Sequence, residues 1–119
     1  MGLDLYFMQR KLSEVAYYRK YNFLIPAMEK ILETRIENNK FYNVDKEDIE
    51  KLKNRCKLVM ENHDYAKELL PTTDGFFFGS TEYDEYYFDD VEHVYNDCNK
   101  ILENMSKTDE PDFVFYDNW

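Results

Sequence analysis

At 119 residues the chain is long enough to build one hydrophobic core and too short for two. Hydrophobic residues make up 44% of it and aromatics 18%, which excludes a globally disordered chain, and no apolar run approaches the ~20 residues that span a bilayer. The formal charge of -10 is unevenly placed: residues 1–71 hold 13 Lys/Arg against 12 Asp/Glu, whereas residues 72–119 hold 2 against 13, so any contact with free nucleic acid has to use the amino-terminal part.

Leu3, Leu5 and Phe7 alternate with Asp4 and Tyr6, the period of a strand with one buried face. From about Val15 to Asn38 the spacing changes. Tyr17, Tyr21, Leu24, Met28, Ile31, Leu32 and Ile36 recur every three or four residues and predict an amphipathic helix, its regular part beginning near Ile25 with Pro26 in the first turn. Asn39 to Asn43 reads as a connector. Asp45 and Asp48 supply a cap and an acidic first turn for a second helix with Ile49, Leu52, Cys56, Val59 and Met60 on its buried stripe. That helix runs through a break near His63 to Leu69 and Leu70, where Pro71 stops it. Asp74-Gly75 is a turn signal, and Ser80 or Thr81 is placed to cap a third helix, whose stripe runs from Tyr87 and Val91 through Cys98 to Met105. After Pro111, Phe113 to Tyr116 have strand chemistry, and their evident partner is the first strand, with Trp119 closing the ribbon against the helices. The expected architecture is a single α+β domain over residues 1–119, with three main helices and a small two-stranded antiparallel sheet formed by the terminal segments.

The segments Met1-Gly2-Leu3-Asp4-Leu5-Tyr6, Val15-Ala16-Tyr17-Tyr18-Arg19-Lys20, Leu69-Leu70-Pro71-Thr72 and the closing Asp112-Phe113 to Trp119 resemble those of small phage and prophage proteins. The block Gly75-Phe76-Phe77-Phe78-Gly79-Ser80-Thr81-Glu82-Tyr83-Asp84-Glu85 carries the most specific part of that likeness, which spans the whole chain. Tyr18 departs from it, standing where tryptophan is frequent. The resemblance transfers no catalytic residue. It implies a phage setting and a role among small accessory proteins that block host antiviral defence, of which anti-CRISPR proteins are one kind. The expected partner is then a host RNA-guided nuclease effector, with or without its guide RNA, in the host bacterial cytoplasm, and no cofactor.

Five groups of residues carry candidate chemistry. Glu82, Asp84, Glu85, Asp89, Asp90, Glu92 and Asp97 form an acidic array at and beyond the third helix start, suited to compete with phosphate for arginine and lysine on a partner. Asp89, His93 and Asp97 fall at i, i+4 and i+8 and share a helix face, but one helix rarely completes a coordination shell, so a solvated stripe is the expectation and no metal site. Tyr17, Tyr18, Arg19 and Lys20 form an aromatic and basic cluster that suits base stacking and phosphate contact. Phe77 belongs to a triple-phenylalanine run that cannot turn every ring inward if extended, which makes it a further candidate contact for RNA or a nucleotide. Cys56 and Cys98 lie on apolar stripes and are expected as reduced core thiols, not nucleophiles. A base-stacking pocket between the 17–19 segment and the 76–87 segment is the alternative to a protein-binding face, and would make the chain a sink for a nucleotide immune signal.

Overall fold

A computed structural model describes residues 2–9, 13–75, 78–106 and 113–119. Strands β1 (Asp4–Gln9) and β2 (Ser13–Arg19) pair antiparallel, and helix α1 (Leu24–Leu32) follows. Strand β3 (Phe41–Val44) precedes α2 (Lys46–Glu61), a 3-10 turn over His63–Tyr65 and the short α3 (Ala66–Leu69). The long α4 (Glu85–Ser106) comes next, and β4 (Phe113–Asn118) is the last element. Among the described residues the four strands form one antiparallel sheet in the order β2-β1-β4-β3.

This corrects the expected three helices and two-stranded sheet: the helix expected to run on to Leu70 is interrupted at Asn62 and splits into α2 and α3, which gives four helices among the described residues, and the sheet has four strands. The terminal segments do pair, Asp4 opposite Asn118 and Gln9 opposite Phe113, but each also takes an outer neighbour. On one side the residues read as the start of a helix form β2. Ala16 and Tyr18 are buried while Tyr17 and Arg19 are exposed, an alternation of period two that the Tyr17, Tyr21, Leu24 spacing disguised. Lys20 then adopts a left-handed backbone (φ 63°) that ends the strand, so the helix starts only at Leu24. On the other side the supposed connector forms β3, four residues long and outermost, with Val44 inward and Phe41 outward. A strand this short leaves little periodic signal to read.

The remaining boundaries follow local chemistry. Pro26 is the third residue of α1, where its missing amide costs no helical hydrogen bond. Asp45 and Asp48 form a reciprocal capping box: the Asp48 amide donates to Asp45 Oδ1 at 2.8 Å and the Asp45 amide to Asp48 Oδ2 at 3.0 Å. Helix α2 ends at Asn62, whose side chain accepts from the Asp64 amide and opens the 3-10 turn. The cap of α4 is Asp84, not Ser80 or Thr81, because its Oδ1 accepts from the Tyr87 amide at 3.0 Å. Ser80 Oγ instead accepts from the Glu82 amide, a local turn one step upstream.

One sheet face carries Leu3, Leu5, Phe7, Tyr18, Phe113 and Phe115, which join Leu52, Cys56 and Val59 of α2 and Val91, Val94, Cys98 and Ile101 of α4 in a single core. On the opposite face Tyr17, Tyr6, Tyr116 and Phe41 stand in one register line across all four strands, with ring centroids 5.1, 5.9 and 4.4 Å apart in turn. The Tyr17 hydroxyl donates to Asp4 and the Tyr116 hydroxyl to Asn39, so this ladder ties neighbouring strands together. Among the described residues no helix is long and apolar enough to cross a membrane.

Candidate functional site

Buried Asn22 positions the surface that contains the acidic residues. Its amide nitrogen donates to the carbonyls of Phe78 and Ser80, both at 3.0 Å, and its oxygen accepts from the Thr73 amide at 3.0 Å. A short polar side chain thus satisfies backbone groups of Thr73, Phe78 and Ser80, which lie between α3 and α4 and take no part in a helix or strand. Gly79, at φ 90°, lies against Lys20, and a side chain there would meet the Lys20 Cβ at 3.0 Å. Tyr83 adds a second tie, its hydroxyl accepting from the Thr72 amide at 3.1 Å. The start of α4 is therefore held against the end of β2.

The acidic array divides by what each carboxylate already does. Glu82, Glu85, Asp89 and Glu92 are exposed, and none forms an ion pair with another described residue. Asp84 is exposed too, but one of its oxygens is committed to the helix cap. Asp90 is half-buried, and burial pushes its carboxyl above the usual range, opposed by a hydrogen bond from Tyr21. Asp97 accepts from the Tyr18 hydroxyl at 3.0 Å and lies 3.3 Å from His93 Nε2, with only 15% of its side chain exposed. Asp97 therefore belongs to the interior of the domain, and the outward array is shorter than the sequence suggests.

His93 completes a hydrogen-bonded chain between sheet and helix. Its Nδ1 lies 2.9 Å from the Tyr21 hydroxyl, its Nε2 faces Asp97, and its ring meets Tyr18 and Tyr21 edge-on. Burial raises the Tyr21 hydroxyl well above the ordinary tyrosine range, so Tyr21 stays a neutral link that lies beside both Asp90 and His93. The chain thus serves to fix α4 on the sheet. Asp89 takes no part in it, and among the described residues no three metal-ligating side chains converge.

The aromatic and basic cluster is split by the strand. Tyr18 is 1% exposed and packs edge-on against Phe7, so its ring is closed to a base, while Tyr17 joins the outer ladder. Arg19 and Lys20 are exposed and line a pocket of about 300 Å³ with Asn22, Glu82, Asp84, Tyr86 and Asp90. This cavity lies near the expected position between the 17–19 and 76–87 segments, with Tyr86 in place of Tyr17 and Tyr18. Phe77 falls outside the described residues. Phe78, its neighbour, is buried and meets Trp119 edge-on at 5.4 Å.

A second groove, of about 560 Å³, lies between the end of α2 and the start of α4. Met60, Tyr83 and Phe88 give it a largely apolar floor, and the exposed His63 ring stacks on Phe88 at 3.6 Å and 9° between planes. Glu85, Asp89 and Glu92 stand along it. Sequence reasoning missed Asn22 and this floor, and covered Tyr86 only as part of the 76–87 segment. Asn22 is a polar residue inside an apolar-looking run, but Met60 and Phe88 look like ordinary stripe residues, and only the approach of α2 to α4 makes them a surface.

Cys56 and Cys98 are both fully buried and unpaired. Burial pushes the Cys98 thiol up to about 12 and raises Cys56 as well, so neither supplies a thiolate near neutral pH. Comparison of the chain with protein-family models, with curated proteins and with solved structures returned no match.

Proposed function

We propose that the protein is a non-catalytic, phage-type inhibitor of host antiviral defence, of the anti-CRISPR kind, that docks the acidic side of α4 on a basic surface of an RNA-guided nuclease effector. The observation that carries this reading is the outward array of Glu82, Glu85, Asp89 and Glu92, which has no internal ion-pair partner among the described residues. Glu85, Asp89 and Glu92 fall at i, i+4 and i+7, so they share one side of α4 and rise by roughly 6 and 4.5 Å in turn along its axis. Carboxylates in such a row compete with nucleic-acid phosphate for arginine and lysine, and the surplus negative charge of this half speeds encounter with a basic partner.

Adding the purified chain to effectors loaded with guide RNA tests the proposal, with target cleavage and complex formation as readouts. The expected result is a stable complex and lost cleavage for at least one effector type. Unaffected cleavage with no complex across effector types would overturn it. The pocket beside Arg19 and Lys20 favours a second reading, sequestration of a nucleotide immune signal, in which the two cations meet phosphate and Tyr86 meets the base. A ligand that binds only the folded chain raises its melting temperature, so a screen of cyclic and linear nucleotides separates the two readings.

A further inference from the structure

We infer that the groove between α2 and α4 is an arginine-binding site for a protein partner; this rests on the reading of α4 as the docking surface and names the side chain that α4 receives. The groove combines two features that arginine alone among the cationic side chains uses together. Its floor offers the flat, closely stacked pair of His63 and Phe88, with Met60 beside it. A guanidinium plane and its three-carbon stem pack on such a floor, whereas a lysine ammonium is a compact, strongly hydrated charge that gains less from it. Its rim offers Glu85, Asp89 and Glu92, whose positions along one helix side let a planar five-donor group bond to two carboxylates at once.

Two other polar groups of the groove are at least partly engaged within the fold, whereas the three rim carboxylates form no ion pair with another described residue. Asp84 caps α4 through the Tyr87 amide, and the Tyr83 hydroxyl accepts from Thr72. Lys67, the cation that reaches this region from α3, lies with its Nζ 5.9 Å from the centre of the Tyr83 ring and forms no ion pair with the rim. At about 560 Å³ the cavity exceeds one side chain, so it suits an arginine together with the backbone that presents it. The complementary surface is the arginine-bearing, phosphate-contacting face of a nucleic-acid-binding protein, where arginine is the residue used for bidentate contacts.

The test is an NMR titration of the full chain, at low salt, with three blocked peptides that differ only in side chain: Gly-Arg-Gly-Arg-Gly, its lysine counterpart and its citrulline counterpart. The arginine peptide should shift the Met60 methyl and the Phe88 and His63 ring signals, and should bind at least several-fold more tightly than the lysine peptide. The citrulline peptide, planar but uncharged, should not bind. The variant Glu85→Gln/Asp89→Asn/Glu92→Gln changes only exposed groups and should weaken arginine-peptide binding by at least tenfold while leaving the spectrum of the core unchanged. Equal binding of arginine and lysine peptides, or shifts confined to residues outside the groove, would overturn the site as mere charge attraction without touching the inhibitor reading. Arginine-selective shifts in a chain that inhibits no effector would sustain the site and sink the inhibitor reading.

Discussion

Replacing Asp117 with Asn should shift relative stability in the variant's favour as pH rises from 4 to 8. Asp117 points from β4 into the core, is 0% exposed, and one of its oxygens has no hydrogen-bond partner. The other accepts from Trp119 Nε1 at 3.1 Å. Burial, with Glu29 adding to it, raises the carboxyl to about 6 against the Trp119 bond that opposes it. A folded-state value raised above the unfolded one means that the folded chain holds the extra proton. Its stabilising contribution is therefore complete below about pH 4 and is lost as pH rises to about 6 and beyond. A rise of that size from the ordinary aspartate value is worth about 3 kcal/mol. The amide keeps an acceptor for Trp119 and has no charge to bury, so the variant escapes this loss. Urea unfolding of both proteins from pH 4 to 8 should give a stability difference that moves in the variant's favour by about 2–3 kcal/mol between the two ends. The difference cancels every other titrating group. A difference independent of pH would refute the account of Asp117 as a carboxylate destabilised by ionising in the core.

Further outcomes follow from particular contacts. Phe115→Ala removes a fully buried ring 5.4 Å from Phe7 in the middle of the sheet and should lower stability by about 3–5 kcal/mol, read as a lower urea midpoint. Asp45→Ala breaks the capping box of α2 and should cost about 1 kcal/mol by the same assay, whereas Glu47→Ala, in the same turn and outside the box, should cost less. Cys56 and Cys98 should react with a thiol reagent far more slowly in buffer than in denaturant, and fast labelling of the folded chain would contradict their burial.

How far the sequence reveals this structure depends on the length and clarity of each element's signal. The Val91, Val94, Cys98, Ile101 stripe extends over several turns of α4, so the helix and its buried face are legible from spacing alone. The Asp45 and Asp48 cap is legible because its chemistry is local. Strand β2 is hidden, because Tyr17, Tyr21 and Leu24 fit a helical period even though Tyr17 and Leu24 lie in different elements on either side of a left-handed turn at Lys20. The chain gives no warning of that turn, since lysine seldom adopts it. At the surface, the acidic residues are visible as charges, but Asp97 looks no different from Asp89 in sequence. Packing separates them: Asp97 faces Tyr18 on the sheet and Asp89 faces outward. The floor of the groove is long-range by nature, formed by Met60 and His63 meeting Phe88 across the domain.

The proposed docking surface is tested most directly by the rate of association with guide-RNA-loaded effectors, followed across a range of salt concentrations for the wild type and for Glu82→Gln/Glu85→Gln/Asp89→Asn/Glu92→Gln. These four amides remove only exposed charge and leave the Asp84 cap, the Asp90 and Tyr21 contact and the Asp97 network in place. Long-range attraction acts on encounter and is screened over about 8 Å at physiological ionic strength, so the wild-type rate should fall steeply with salt. The variant should associate at least tenfold more slowly at low salt, with a nearly flat salt dependence, and should inhibit cleavage correspondingly less. Unchanged association and full inhibition by the variant at physiological salt would contradict the acidic side of α4 as the docking surface.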